Sequence, residues 1–154
     1  FNIITHDKIF KLNFPNANIL DLYSGVGSFG IECLSRNANN VVFLEKNLKA
    51  FSILKENIVN LKISNKAKLI HVDIKNYIEK INFEEKFDLI FLDPPYNDNS
   101  YLEIIKLLKK KKIFKKIHKI IIHREKNCED EIKKYINIDL LKKYGRSQII
   151  FGSF

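Results

Sequence analysis

The sequence predicts an α/β protein with a doubly wound, mostly parallel Rossmann-like sheet that ends in an antiparallel hairpin strand. Three observations predict it. Short apolar runs alternate with segments of helical periodicity along most of the 154 residues. Four of those runs end at an acidic residue, and Gly145-Arg146 divides the last two runs as a hairpin turn would.

The elements follow in order. Asn18 to Tyr23 forms a first strand that carries Asp21 and is broken by Ser24-Gly25-Val26-Gly27-Ser28-Phe29-Gly30. A helix from about Ser28 to Asn37 turns Phe29, Cys33 and Leu34 inward. Val41 to Leu44 is the second strand, ending at Glu45, and Leu48 to Leu61 is a helix with Phe51, Leu54, Ile58 and Leu61 in register. Lys68 to Val72 is the third strand, ending near Asp73, and Ile74 to Ile81 is a short helix. Phe87 to Leu92 is the fourth strand, and Tyr101 to Leu108 a helix that presents Leu102, Ile105 and Leu108 to the sheet. Lys119 to Ile122 is the fifth strand, with a lysine block before it and His123-Arg124-Glu125 after it. A turn or two of helix over Glu129 to Lys134 leads to the hairpin of Tyr135 to Tyr144 and Ser147 to Phe151. No repeat, linker or second domain is visible, so residues 1–154 are read as one domain.

Composition narrows the function classes. With 45% hydrophobic and 29% charged residues the chain reads as globular, and no apolar run is long enough to span a bilayer. No secretory signal is visible at Phe1 to Lys8; the chain has no Met at all, so a processed protein or a fragment is expected, with a cytoplasmic setting, or an organelle if a leader has been removed. Cys33 and Cys128 lack disulfide or metal spacing and read as reduced structural thiols, while His6, His71, His118 and His123 form no HExxH, so no metal is expected. The net charge of +9 is uneven: residues 1–100 carry 12 basic and 12 acidic side chains, residues 101–154 carry 15 and 6. Lys106, Lys109 to Lys112, Lys115, Lys116 and Lys119 make most of the excess. Such a block suits a polyanionic partner, although a solvated lysine face is the competing reading.

A doubly wound sheet binds ligands beyond the C-terminal ends of its strands, where Asp21, Glu45, Asp73 and Asp93 are expected to converge on one crevice. Gly25-x-Gly27-x-x-Gly30 matches a dinucleotide fingerprint, so a nicotinamide cofactor is one possibility. Asp21, four residues earlier, would oppose a pyrophosphate; a cofactor with an ammonium end and no phosphate suits it better. S-adenosylmethionine is such a cofactor, with Asp21 facing its amino-acid portion, Glu45 its ribose and Asp73 its adenine amino group. Asp93-Pro94-Pro95-Tyr96 places a carboxylate and a ring beside two rigid residues, which suits a flat, amino-bearing group. The proline carbonyls are expected to face the cavity. A Pro-Pro pair after a strand is also simply a rigid turn, and these four residues alone leave both readings open.

Asp21-Leu22-Tyr23-Ser24-Gly25-Val26-Gly27-Ser28-Phe29-Gly30, Glu45-Lys46-Asn47, Asp73, Asp93-Pro94-Pro95-Tyr96 and Tyr144-Gly145-Arg146 together resemble the signatures of the bacterial D-type guanine-N2 methyltransferases of small-subunit ribosomal RNA. The resemblance covers nearly the whole chain. It departs at Tyr23, where the family usually has Phe, and in an N-terminal segment with an Arg-Pro-Thr signature, which leads into a helix that this chain enters near Phe1. The resemblance implies methyl transfer from S-adenosylmethionine to a guanine of small-subunit (16S) ribosomal RNA, naked or in an assembling ribosomal particle. It also implies a cofactor set of Asp21, Tyr23, Ser24, Gly25, Gly27, Glu45, Lys46, Asp73 and Ile74, and a catalytic set of Asp93, Pro94, Pro95 and Tyr96. The oligomeric state stays open, with a monomer as the default. Rival readings are an adenine-N6 or protein-glutamine methyltransferase on the same loop, and a non-catalytic RNA- or ribosome-binding module. His123-Arg124, at the end of the fifth strand, lies near enough to the crevice to touch the substrate backbone, with a surface pair as the preferred reading.

Overall fold

The structure, a computed structural model, describes residues 1, 3–4, 12–98, 100–125 and 129–154. Seven strands, β1 (Asn18–Leu22), β2 (Asn40–Glu45), β3 (Ala67–His71), β4 (Phe87–Leu92), β5 (Phe114–Glu125), β6 (Asn137–Tyr144) and β7 (Ser147–Ser153), form one sheet in the order β3-β2-β1-β4-β5-β7-β6. The first five run parallel, and β7 is antiparallel to both β5 and β6. Helices that accompany them among the described residues include α1 (Ser28–Ser35), α2 (Leu48–Asn60), α3 (Ile74–Lys80), α4 (Tyr101–Lys111) and the short α5 (Glu129–Ile132). The expected sheet is therefore present, and its order reverses between β1 and β4.

Side-chain alternation along buried strands divides the core into two layers. On one face Leu20, Leu22, Val42, Leu44, Ile90 and Leu92 pack with Ile74 and Ile78 of α3 and Ile104, Ile105 and Leu108 of α4. On the other, Ile19, Val41, Phe43 and Leu89 pack with Cys33 and Leu34 of α1 and Leu54 and Ile58 of α2. Each such side chain, removed from water, contributes about 1.5–3 kcal/mol. The same alternation puts Asp21, two residues after Ile19, on the α1 side. Phe29 is half-buried on that side and stacks on Phe91 with centroids 3.8 Å apart. Cys33 is a buried free thiol; Cys128 lies outside the described residues.

Two elements depart from expectation. β5 begins at Phe114, not Lys119, so Lys115 and Lys116 are strand residues rather than a loop before the strand. Its register slips against β4, with Phe114 opposite Phe87 and Lys119 opposite Leu89. The extra residues between them are held by a stack of Phe114, His118 and Phe154. There the His118 ring accepts from the Phe154 N–H at Nε2 (2.9 Å) and donates from Nδ1 to the Lys115 carbonyl (2.8 Å). Burial, together with the charge of Lys119, holds this imidazole below its usual pKa. In α4 the inward face is Tyr101, Ile104, Ile105 and Leu108, and Leu102 is only half-buried. Tyr101 turns inward to meet Arg124, described below. No helix among the described residues is long and apolar enough to cross a membrane.

Candidate active site

At the end of β1 the chain must reverse into α1 within a few residues. Tyr23 takes a left-handed φ of 61°, and Gly27, the α1 N-cap, has φ 91°, a region that only glycine enters without strain. Ser24 ties the turn down: its N–H and hydroxyl both reach the Leu44 carbonyl, and the hydroxyl also donates to the Asp21 carbonyl at 2.7 Å. Gly30 serves close packing, because a Cβ there would lie 2.2 Å from the Phe43 ring. That close approach brings its N–H to 3.0 Å from Asp21 Oδ2.

Asp21 is 1% exposed, and its other oxygen, Oδ1, is buried without a hydrogen-bond partner. Burial pushes its carboxyl up to about 8, a rise that the Gly30 N–H opposes and the charges of Asp93 and Glu45 reinforce. An acidic group in this state favours a cation brought against it. Glu45 is also buried; its Oε2 accepts from the Gly25 N–H at 2.8 Å and its Oε1 from the Asn47 N–H at 2.6 Å. Glu45 therefore fixes the glycine turn and the start of α2 together, which its strand-end position alone did not reveal. Asp73 caps α3 through the Asn76 N–H and pairs with Lys46 Nζ at 2.7 Å. The Lys46 hydrogen bond, followed by that of Asn76, holds the Asp73 carboxyl below its usual range.

The segment after β4 is shaped from the neighbouring strand. Arg124, 5% exposed, donates from Nη1 to the carbonyls of Pro95 (2.7 Å) and Pro94 (3.3 Å) and from Nη2 to that of Tyr96 (3.1 Å). Its guanidinium lies over the Tyr101 ring, 4.2 Å from the centroid. These bonds correct two expectations: Arg124 is a buried clamp and no surface residue, and the three carbonyls turn to it instead of standing open to the cavity. A fork-shaped donor matches successive carbonyls as an ammonium could not. His123, on the opposite face of β5, has Nδ1 2.8 Å from Asp93 Oδ1, and its ring meets Tyr96 edge-on at 6.3 Å. Asp93 and Tyr96 remain accessible, Tyr96 being 49% exposed.

Two adjoining clefts lie along this edge, with Tyr23 in the wall of both. The larger, about 810 Å³, is lined by Glu45, Lys46, Asp73, Ile74 and Pro95, together with Asp98, Ser100 and other residues. The smaller, about 460 Å³, is lined by Asp21, Ser24, Gly25, Phe29, Phe91 and Asp93, among others. The four strand-end acids are thus divided two and two. Gly27, Pro94 and Tyr96 line neither cleft: the first supports the turn, the second is buried and the third stands at the rim. Asp98 and Ser100 were not legible as site residues. Asp98 Oδ1 accepts from the Ser100 N–H (2.7 Å) and hydroxyl (2.6 Å). Burial alone would raise the Asp98 carboxyl, yet these bonds and the Arg124 charge outweigh it and hold the group low. The Tyr23 hydroxyl faces the same pair without a hydrogen bond of good geometry, and burial pushes its pKa well up. A polar loop followed by a helix carries no mark of what it will face. Among the described residues no three His, Cys, Asp or Glu side chains are grouped to hold a metal ion.

Sheet order, a glycine turn after β1 and a carboxylate beyond β4 at the reversal point are those of a Rossmann-like fold, and the names of the relatives below make the class that of a methyltransferase. The same fold occurs in a ribosomal protein L11 methylase from Lactobacillus delbrueckii subsp. bulgaricus, at a TM-score of 0.75 and 18% identity over 90% of this chain and 69% of that one. More particularly, the chain belongs to the family described as Conserved hypothetical protein 95, whose model matches residues 1–153. Ribosomal RNA small subunit methyltransferase D of Buchnera aphidicola subsp. Acyrthosiphon pisum is 37% identical to it over 134 residues, 87% of this chain and 68% of the relative. The enzyme of the same name from Buchnera aphidicola subsp. Baizongia pistaciae is 36% identical over 126 residues, 81% of this chain and 60% of the relative.

Proposed function

We propose that residues 1–154 form one catalytic domain that methylates the exocyclic N2 of a guanine in small-subunit (16S) ribosomal RNA, using S-adenosylmethionine. The observation that carries the reading is Asp21, whose buried Oδ1 has no hydrogen-bond partner and which lines the same cleft as Asp93. The names of the Buchnera relatives support the RNA substrate.

The residues present fit the cofactor. A buried carboxylate with one unsatisfied oxygen suits the ammonium of an amino-acid portion, and Tyr23 and Ser24 line the same wall. Glu45, whose oxygens keep free lone pairs beyond their two backbone bonds, suits ribose hydroxyls. Asp73, Lys46 and the apolar Ile74 suit an adenine. When bound, the cofactor supplies a methyl group activated by a sulfonium. With the cofactor in place, Asp93 would hold the guanine amine in line with the sulfonium–methyl bond and take its proton as the nitrogen gains the methyl and that bond breaks, its electron pair returning to the sulfur, while Tyr96 would stack on the flipped base. Arg124 fixes the backbone that carries both.

The test is Asp93→Ala. Methyl transfer to small-subunit RNA should vanish while cofactor affinity stays within about two-fold of wild type. Undiminished transfer would overturn the assignment of Asp93. Mass analysis of nucleosides from the reaction should show N2-methylguanine; N6-methyladenine in its place would overturn the choice of base.

A further inference from the structure

Two groups of cations in the C-terminal third stand at opposite edges of the sheet. Lys109 to Lys112 end α4, and Lys115 and Lys116 begin β5; both lie at the edge where β4 starts. The six residue steps from Phe87 to Asp93 place that edge about 20 Å from Asp93. Several of these cations are already engaged within the fold: Lys109 with the Tyr135 carbonyl, Lys111 with the Ile81 carbonyl and Lys115 with Asp88.

The second group is at the other edge. The register Glu125↔Ser147 and Tyr144↔Ser147 brings the β6–β7 turn beside the end of β5, level with the loop that carries Asp93 and Tyr96. Gly145, with φ 50°, leads the two-residue turn. Lys142, Tyr144 and Arg146 are exposed there, Tyr144 by 54%. Three strand spacings, β4 to β5 to β7 to β6, separate the tip from the catalytic loop by about 14 Å. Two exposed rings, Tyr96 and Tyr144, thus stand on one edge with cations beside the second.

We propose that the β6–β7 hairpin tip, through Lys142, Tyr144 and Arg146, binds the single-stranded RNA that flanks the target guanine. This rests on the RNA-methylating function proposed above. A flipped base needs neighbours held out of a duplex, and an aromatic ring with cations beside it holds an unpaired strand by stacking and phosphate contact. The lysine group at the far edge makes no contact with that strand.

The experiment measures the affinity of the full chain for a small-subunit ribosomal RNA transcript across a salt series, alongside its methylation. Lys142→Gln/Arg146→Gln should lower the slope of log affinity against log salt by about 1.4, at about 0.7 per phosphate contact on a single strand. Tyr144→Ala should weaken binding roughly 5- to 150-fold and leave the slope alone. Lys110→Gln/Lys112→Gln, at the far edge, should behave as wild type. All four chains are compared by thermal unfolding, and the exposed positions predict equal stability. Wild-type slope and affinity in both hairpin variants, with wild-type methylation intact, would overturn the hairpin proposal alone; so would a slope lost only in the far-edge variant. A wild-type chain that methylates no RNA would overturn the proposed function, and this proposal with it.

Discussion

Asp21 offers the sharpest test of the cofactor assignment, because its protonation couples binding to pH. Burial, helped by Asp93 and Glu45, raises its carboxyl from 3.8 to about 8 in the ligand-free fold. The folded protein therefore keeps a proton between about pH 4 and 8 that the unfolded chain has released. Stability should fall through that window as pH rises, by up to about 1.4 kcal/mol per unit. An ammonium placed against Oδ1 reverses the preference and favours the ionised form. At pH 6 only about 1% of free molecules carry an ionised Asp21, at pH 7 about 10%, and at pH 8 about half. Affinity for S-adenosylmethionine should accordingly tighten roughly ten-fold from pH 6 to 7 and about five-fold more from 7 to 8, then level off. Titration calorimetry in two buffers of different ionisation heat should show close to one proton released per site at pH 6 to 7. Asp21→Asn removes the ionisable group, so it should bind weakly at pH 8, lose the pH dependence and unfold at a higher temperature than wild type at that pH. A flat pH profile in wild type, or the same profile in Asp21→Asn, would refute the reasoning.

Arg124→Ala strips three carbonyls of their donor and should cost roughly 2–5 kcal/mol in chemical denaturation; Arg124→Lys should keep the fold and the cofactor affinity but lower kcat, and wild-type turnover in it would remove the clamp from the mechanism. Gly30→Ala drives a methyl into the Phe43 ring and should lower stability by about 1–3 kcal/mol, read as a lower Tm; an unchanged Tm would show that α1 shifts freely.

The sheet was legible because its inner strands are uninterrupted apolar runs, and the places of Asp21, Glu45 and Asp93 in the fold were legible because each sits where such a run stops. The first half of β5 was not, since Lys115 and Lys116 hide a strand whose inward contacts are two aromatic residues and a neutral histidine. Nor was Arg124. Its partners are backbone carbonyls, which every residue possesses, so nothing in the letters at 94–96 announces an arginine thirty positions on. Asp98 and Ser100 were missed for a related reason: their role depends on a loop path that no periodicity encodes. The division of the acids into two clefts depends on where the Tyr23 ring falls, which follows from a left-handed φ at a residue that is not glycine.

That the transfer loop is gripped from β5 makes the two halves of the site unequal in origin. A fragment ending at Lys112 would retain every acid proposed for the cofactor and all four residues of the loop, but not the guanidinium that shapes the loop. On the function proposed above, the cofactor acids come from β1 to β3 and the guanidinium that shapes the loop comes from β5. With β1 to β3 unchanged, exchanging the end of β5 and the hairpin beside it would remove the donor that holds the carbonyls at 94–96 and change the surface beside that loop, which on the proposed function is where a different acceptor would be accommodated.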